Sequence, residues 1–339
     1  MSFRVRIEPS GHEFTVADKE TILDGALRHG ITLAYSCRNG SCGTCKGRLL
    51  AGEIDYGIYE DKALSAAERA AGLALFCQAL PRTDVVIEAR ELVTAAGISI
   101  KTLPARVLKM EKAAADVMIL SLKLPANQRL QFLAGQYVDI LLKDNQRRSF
   151  SLANPPAADE TLQLHIRQVP NGVFTTHVFT QMKVKDLLRL RGPLGTFFLR
   201  AESDAPIILI AGGTGFAPIK SMVEHALAHG GPRPMHLYWG ARARSDLYMH
   251  ALPLQWASLH PHFKYTPVLS EPKPEDRWDG RRGWVHEAVL EDYPDLSRHE
   301  VYASGPPPMI AAIKQTLFAR GLAPERLFYD SFEFAHAGA

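Results

Sequence analysis

Tyr35-Ser36-Cys37-Arg38-Asn39-Gly40-Ser41-Cys42-Gly43-Thr44-Cys45 is the stretch from which the rest of this 339-residue chain can be read. Three cysteines fall within nine residues, spaced C-x4-C-x2-C, and the fourth, Cys77, stands alone. That spacing is the ligand pattern of a 2Fe–2S cluster of the plant type, in which two thiolates hold each iron. The pattern uses all 4 cysteines of the chain, so none is left for a disulfide or a nucleophile. One-electron transfer is the chemistry to expect.

A loop that wraps such a cluster must turn tightly and aim backbone N–H groups at the bridging sulfides. Gly40 and Gly43 suit that task, because glycine adopts positive φ without steric cost. Arg38 adds positive charge beside the ligands. A structural zinc site is the other reading of four cysteines, but such sites favour C-x2-C pairs. A disulfide framework fits less well still, in a long chain with few cysteines and no export signal at its start.

A chain of 339 residues exceeds one core, so two or three domains are expected. Hydrophobic residues make up 46% and charged residues 22%, ordinary values for a globular protein. The formal net charge is +3 with no lysine–arginine run, which gives no reason to expect nucleic acid. The longest apolar stretch, Pro206–Ala211, is too short to cross a bilayer, and no membrane role is expected. Reduced thiolate ligands without an export signal predict a cytoplasmic protein. The 13 histidines show neither H-E-x-x-H nor H-x-x-E-H spacing and read as surface or supporting residues. Trp239, Trp256, Trp278 and Trp284 read as packing.

Residues 1–92 form a first segment. Strands are expected at Phe3–Ile7 and Glu13–Val16, a helix opening at Thr21 and stopping at Gly30, then the cysteine loop. A strand at Gly47–Leu50, a helix capped by Ser65 and a closing strand at Val85–Ile87 complete it. Residues 93–102, with Ala95-Ala96-Gly97 among them, read as a flexible linker on which the first segment swings. From 103 to 200 short strands recur, at Ala105–Met110, Val117–Lys123, Tyr137–Leu142, Phe150–Ala153, Leu162–Val169 and Leu187–Gly192. That spacing suggests a small antiparallel barrel. In residues 201–334 the continuous apolar run Pro206–Ala211 reads as a buried parallel strand, followed by a helix through Ile219 to His229. Strands at His236–Trp239, Tyr265–Leu269 and Val301–Ala303 alternate with helices at His286–Leu290 and Pro308–Arg320, as in a doubly wound α/β domain.

Gly212-Gly213-Thr214-Gly215-Phe216-Ala217-Pro218 lies between that buried strand and its helix, where glycines admit a pyrophosphate to the backbone and the helix N-terminus. Alone, such a turn is also an ordinary strand–helix connection. Arg147-Arg148-Ser149-Phe150-Ser151 offers an arginine for a pyrophosphate, an aromatic face for a flavin and a hydroxyl for its reactive edge. An exposed basic strand edge is its plain alternative. Asn171-Gly172-Val173-Phe174-Thr175 reads as a turn into a helix with Thr175 as cap, suited to a phosphate or to no ligand at all.

These motifs, in this order and followed by the Gly305-Pro306-Pro307-Pro308-Met309 run, resemble the ferredoxin–NADP reductase superfamily from about Leu103 to Phe334. Residues 1–92 resemble a plant-type ferredoxin, so the whole chain looks like the single-chain oxygenase reductases and CDP-6-deoxy-glucoseen reductase. The resemblance implies three domains: an N-terminal β-grasp 2Fe–2S ferredoxin, an antiparallel β-barrel FAD domain and a doubly wound α/β NAD domain. It implies FAD, a nicotinamide donor and an acceptor protein, either a terminal oxygenase or a dehydratase.

By the same resemblance, Cys37, Cys42, Cys45 and Cys77 hold the cluster. Arg148, Ser149, Phe150, Ser151, His165, Arg167, Gly172 and Thr175 line the cofactor site, Arg148 and Thr175 at the FAD pyrophosphate and Phe150 on the flavin. Gly212, Gly213, Thr214, Gly215, Pro218, Gly305 and Pro306 admit the nicotinamide dinucleotide, while Ser151, Ser304 and Phe332 stand on the hydride path. Two positions depart from the family. Phe150 often has tyrosine as its counterpart, and Ser304 often has cysteine, whose place near the hydride a serine hydroxyl still fills with a hydrogen bond. Arg242 and Arg244 follow the second strand of the last domain, as a 2′-phosphate favours, but Asp246 lies close behind. The family comparison tilts toward NADH, with NADPH as the alternative.

A hydride carries two electrons and a 2Fe–2S centre accepts one, so a flavin between them serves as converter. The expected path runs from NAD(P)H to FAD, to the cluster, to the acceptor, in a monomer. A redox-sensing or docking module, whose cluster state controls partner binding, is the alternative of another class. Sustained NADH-driven reduction of an artificial acceptor separates the two.

Overall fold

A computed structural model of the chain describes residues 2–92, 97–143, 146–231 and 233–333. Val93–Ala96, the heart of the stretch read as a linker, and Phe334 lie outside the described residues. Two compact units are built on Met1–Ser99 and on Ile100–Phe332.

The first unit runs β1 (Ser2–Glu8), β2 (Glu13–Ala17), α1 (Ile22–Arg28), β3 (Lys46–Ala51), β4 (Ile54–Asp55), α2 (Ala66–Ala70), β5 (Leu73–Leu75), β6 (Leu80–Pro81) and β7 (Val85–Glu88). Five strands form one sheet of order β2-β1-β7-β3-β5, with β1 and β7 parallel. Val5 and Ile7 of β1 and Val16 of β2 point to one face and are fully buried, as the period of two demands. Ile22, Leu23 and Ala26 of α1 are buried as well. Thr21 caps α1 by accepting from the Asp24 N–H at 3.1 Å, and Ser65 with Glu68 forms a capping box on α2.

In the second unit β8 (Lys101–Ala114), β9 (Val117–Lys123), β10 (Tyr137–Leu141), β11 (Arg147–Ser151), β12 (Thr161–Arg167), α3 (Val173–Thr180) and β13 (Leu187–Leu194) come first. Their sheet has the order β11-β10-β13-β8-β9-β12, antiparallel throughout. The bridge Leu152↔Leu164 joins the two edges, so the sheet closes into a barrel. Val107, Leu120, Leu122, Val138, Ile140, Leu164 and Leu190 fill it. Lys101 and Thr102, read above as linker, already pair with Gly192 and Arg191. β11 ends at Ser151, two residues before the expected end, and β8 runs on to Ala114 through two register shifts against β9.

The chain continues through β14 (Ile207–Gly212), α4 (Phe216–Ala228), β15 (Met235–Ala241), α5 (Ala251–Leu259), β16 (Phe263–Leu269), β17 (Arg281–Arg282), α6 (Val285–Asp292), β18 (Glu300–Gly305), α7 (Pro307–Phe318) and β19 (Leu327–Ser331). All six strands are parallel, in the order β17-β16-β15-β14-β18-β19. Every residue of β14 is buried, which is why its sequence is apolar without alternation. Strand order reverses between β14 and β18, and the crevice at their C-terminal ends is where such sheets take ligands. Trp239, Trp256 and Trp278 are packed inside, Trp239 stacked on Phe216 with centroids 4.0 Å apart. Trp284 is 60% exposed at the N-terminus of α6, contrary to the packing role expected of it. Among the described residues, no helix is long and apolar enough to cross a membrane.

Candidate functional site

The four cysteines converge. Cys42, Cys45 and Cys77 are buried, Cys37 is half-buried, and all are free thiols. The sulfurs associate in two pairs, Cys37 with Cys42 and Cys45 with Cys77. Hydrogen bonds to their partner sulfurs, then burial, push the Cys42 and Cys45 thiols well up, while accepting those bonds lowers Cys37 and Cys77. Backbone N–H groups aim at the sulfurs, from Asn39 and Ser41 to Cys37 and from Gly40 to Cys77. Two sulfur pairs ringed by inward N–H dipoles fit a two-iron centre with two thiolates per iron.

Local sequence explains this arrangement. Gly40 sits at φ 80°, and a Cβ there would lie 2.6 Å from the Ile58 carbonyl, so only glycine lets the loop close. The Glu60 N–H donates to the Gly40 carbonyl at 3.1 Å, and Ser41 Oγ donates to Glu60 at 2.7 Å. The start of α1 braces the Cys77 segment: Leu23 N–H donates to Phe76 O at 2.9 Å and Ile22 N–H to Ala79 O at 3.0 Å. Arg38 is left-handed at φ 61°, its guanidinium buried and 3.7 Å from Asp24.

A second constellation gathers at the C-terminal ends of β14 and β18. A Cβ on Gly215 would overlap the Ser304 carbonyl, so glycine is what brings the start of α4 against β18. Gly213 lies under Arg167, whose guanidinium is 2.9 Å from where a Cβ would stand. Arg167 has Asp116 3.4 Å from its Nε, yet among the described residues its buried Nε and Nη2 find no hydrogen-bond acceptor. Ser304 is fully buried, opposite Asp330 in register, and among the described residues its hydroxyl has no hydrogen-bond partner. Ser151 Oγ donates to Asp330 Oδ2 at 3.3 Å. Pro306 packs on Gly212, and the Phe332 N–H donates to the Gly305 carbonyl at 3.0 Å. Orphaned donors around a glycine cradle fit an anionic, hydrogen-bonding dinucleotide.

Ser149 Oγ donates to Asp139 at 2.7 Å, and Arg148 Nη1 donates to the Arg147 carbonyl at 2.8 Å. Phe150 meets Phe174 of α3 with ring centroids 5.4 Å apart. Thr175 is not the cap of α3: Gly172 holds that place, and Thr175 sits inside the first turn, accepting from the Val169 N–H at 3.2 Å. The cap position passed to glycine because the Asn171 turn, at φ 60°, starts the helix earlier than Thr175. Thr214 and Pro218 are buried in the turn and first turn of α4. His165 is buried too, its Nδ1 2.8 Å from the Tyr248 hydroxyl. Burial, then the Lys220 ammonium, push its pKa down to about 3, so the ring is neutral.

Sequence reasoning missed Asp330, whose signal was an acid inside the otherwise packed strand β19. It also missed Lys220, a buried cation in an apolar helix face.

Three domain families match the chain. The 2Fe-2S iron-sulfur cluster binding domain covers residues 5–82, the oxidoreductase FAD-binding domain 104–199 and the oxidoreductase NAD-binding domain 209–315. The CDP-6-deoxy-L-threo-D-glycero-4-hexulose-3-dehydrase reductase of Yersinia pseudotuberculosis is 42% identical over 332 residues, 98% of this chain and 99% of that one. The chain belongs to the single-chain ferredoxin-type reductases. This reductase is also 36% identical to the reductase component of phenol 2-monooxygenase from a Pseudomonas species, across 100% of its own length and 97% of the relative's. The crystal structure of an Amycolatopsis cytochrome P450 reductase superposes with a TM-score of 0.81 at 36% identity, covering 97% of this chain and 98% of that one. The reductase therefore combines a 2Fe–2S ferredoxin domain with FAD- and NAD-binding domains. It is an NAD(P)H-dependent flavin and iron–sulfur oxidoreductase, the electron-transfer component for a partner protein.

Proposed function

We propose that this reductase draws on NADH, works as a cytoplasmic monomer, and delivers electrons to a dehydrase that acts on a nucleotide-linked 6-deoxy-hexulose. The full-length 42% identity to a dehydrase reductase carries the choice of acceptor. An oxygenase is the second reading, favoured by the 36% identity to a monooxygenase component. When bound, FAD exchanges electrons in pairs with a nicotinamide and singly with an iron–sulfur centre.

The residues divide the binding work. Cys37, Cys42, Cys45 and Cys77 hold the cluster. Arg148 and the N-terminus of α3, from Gly172 to Thr175, take the FAD pyrophosphate. Phe150, backed by Phe174, offers its face to the flavin ring. Asp330 orients the Ser151 hydroxyl toward the reactive edge. The Gly212–Gly215 turn and the Arg167 guanidinium, whose Nε and Nη2 have no hydrogen-bond acceptor among the described residues, would receive the dinucleotide phosphates, and the Ser304 hydroxyl, likewise without a partner among them, would meet the nicotinamide. Phe332, tied to Gly305, covers the site from the end of β19. Domain limits at 1–92, 103–200 and 201–334 accompany this assignment. Preference for NADH has a local reason: Asp246 lies 3.3 Å from the Arg242 guanidinium and repels a 2′-phosphate that would compete for it.

The test supplies the reductase with NADH and either purified CDP-6-deoxy-hexulose-3-dehydrase or a phenol 2-monooxygenase oxygenase component. The reading predicts faster turnover with the dehydrase, and a kcat/KM for NADH at least about tenfold that for NADPH, or about 1.4 kcal/mol. Transfer to the oxygenase alone, or a preference for NADPH, contradicts it.

A further inference from the structure

We propose that Lys220 and Ser221 are positioning residues that fix the nucleotide turn against the flavin strand and thereby set the hydride-transfer geometry. The inference rests on the reading of Ser151 and the glycine turn given above.

α4 begins at Phe216, directly after the Gly213–Gly215 turn, and Lys220 and Ser221 follow within its first two turns. Both side chains reach from α4 to the segment that follows β11. The Lys220 ammonium donates to the Ala153 carbonyl at 3.1 Å and to Glu224 at 2.8 Å. Ser221 Oγ donates to the Asn154 carbonyl at 2.7 Å. Ala153 and Asn154 lie two and three residues beyond Ser151, where the chain leaves β11. Two consecutive side chains of the nucleotide-binding helix thus hold two consecutive carbonyls of the flavin-strand exit.

The receiving segment is itself rigid. Asn154 Nδ2 donates to the Ala158 carbonyl at 3.0 Å, and its Oδ1 accepts from the Gln163 N–H of β12 at 2.8 Å. A shift of α4 along the barrel has to break both tethers, because a hydrogen bond at 2.7–3.1 Å is lost by about 3.6 Å. The Lys220 tether is therefore lost after about 0.5 Å of slip and the Ser221 tether after about 0.9 Å.

Packing alone does not call for this chemistry. Lys220 is 6% exposed and Ser221 fully buried. An apolar side chain would cover the same surface without stripping water from an ammonium. What the lysine adds is direction: Glu224 fixes Nζ from its own helix and Ala153 O receives it across the interface. Hydride transfer depends steeply on such registry, since a displacement of about 1 Å from a remote substitution costs on the order of 100-fold in rate.

The test uses the full-length protein loaded with FAD and cluster. Flavin reduction is followed by stopped flow under anaerobic conditions, with NADH and with NADH deuterated at the transferred position, for Lys220→Met, Lys220→Arg and Ser221→Ala. Lys220→Met is expected to keep its FAD and a KM for NADH within about threefold, while flavin reduction slows on the order of 10- to 100-fold and the isotope effect rises. Ser221→Ala slows it less, and Lys220→Arg, which still donates to Ala153, recovers most of the rate. Unchanged reduction rates and isotope effects in Lys220→Met and Ser221→Ala, with only the melting temperature lowered, overturn the proposal. Should Lys220→Met fail to fold, Ser221→Ala decides alone by the same two readouts. Ser151→Ala in parallel separates the two levels: if it leaves the rate untouched while Lys220→Met slows it, the assignment of Ser151 falls and the tether stands.

Discussion

Ser304→Ala should make this reductase more stable and slower at once. Ser304 is fully buried at the end of β18, and among the described residues its hydroxyl has no hydrogen-bond partner. An unpaired buried hydroxyl costs about 1–3 kcal/mol. Alanine removes that penalty and leaves a void of about 10 Å³, worth about 0.2 kcal/mol at roughly 24 cal/mol per Å³. A net gain of about 1–3 kcal/mol follows, which for a unit of this size is a rise of about 2–12 °C in melting temperature. The hydroxyl is kept, on this account, for the nicotinamide. Losing one neutral hydrogen bond there costs about 0.5–1.5 kcal/mol, or about a 2- to 12-fold slower flavin reduction. Thermal melts of the nucleotide-free holoprotein and stopped-flow reduction by NADH measure the two effects. If the variant melts lower than the parent and reduces flavin at the same rate, Ser304 is simply packing and the reasoning fails.

Cys77→Ser should cost the cluster while NADH still bleaches the flavin, because Cys77 lies in the first unit and the flavin and nucleotide motifs in the second; iron content and visible spectra read this directly, and loss of flavin reduction would contradict it. Gly215→Ala drives a methyl into the Ser304 carbonyl, so a destabilisation of about 1–3 kcal/mol in denaturant unfolding and weaker NADH binding are expected; a neutral substitution would show that α4 and β18 do not meet so closely. Stability should fall on mild acidification. His165 stays neutral when folded, its pKa near 3, and His236 likewise near 4, whereas both protonate near pH 6.5 when unfolded. The unfolded state therefore binds more protons between about pH 6.5 and 3, and His165 alone contributes up to about 1.4 kcal/mol per pH unit of loss as pH drops through that window. Urea unfolding at pH 7 and pH 5 checks the sign, and His165→Gln, which cannot titrate, should flatten the slope; an unaltered slope would rule His165 out.

Features governed by short-range rules were legible in the sequence. The C-x4-C-x2-C loop, the Thr21 and Ser65 caps and the apolar run of β14 each follow from neighbours in the chain, and each stands where it was expected. What escaped depended on long-range pairing. Asp330 matters because β19 lies beside β18 and Ser151 arrives from the barrel, and no local pattern announces either. Lys220 is buried because its ammonium reaches the Ala153 carbonyl, 67 residues earlier in the chain, and no local pattern announces that contact. Helix α5 carries Pro253 in its first turn, a tolerated place for proline that weakens the helical signal. Thr175 was misjudged by position alone, since the glycine before it took the cap. Trp284 was misjudged by residue type, because large aromatics are usually buried and this one ends a turn in solvent.

The central claim is a single electron path from nicotinamide through flavin to an iron–sulfur centre held by Cys37, Cys42, Cys45 and Cys77. Anaerobic titration of the purified protein with NADH, followed by its visible spectrum, tests it most directly. The account predicts that flavin and iron–sulfur bands both bleach, with about three electrons taken up per chain, two by the flavin and one by the cluster. Zinc in place of iron at the four cysteines, or bleaching that stops at the flavin, would contradict it.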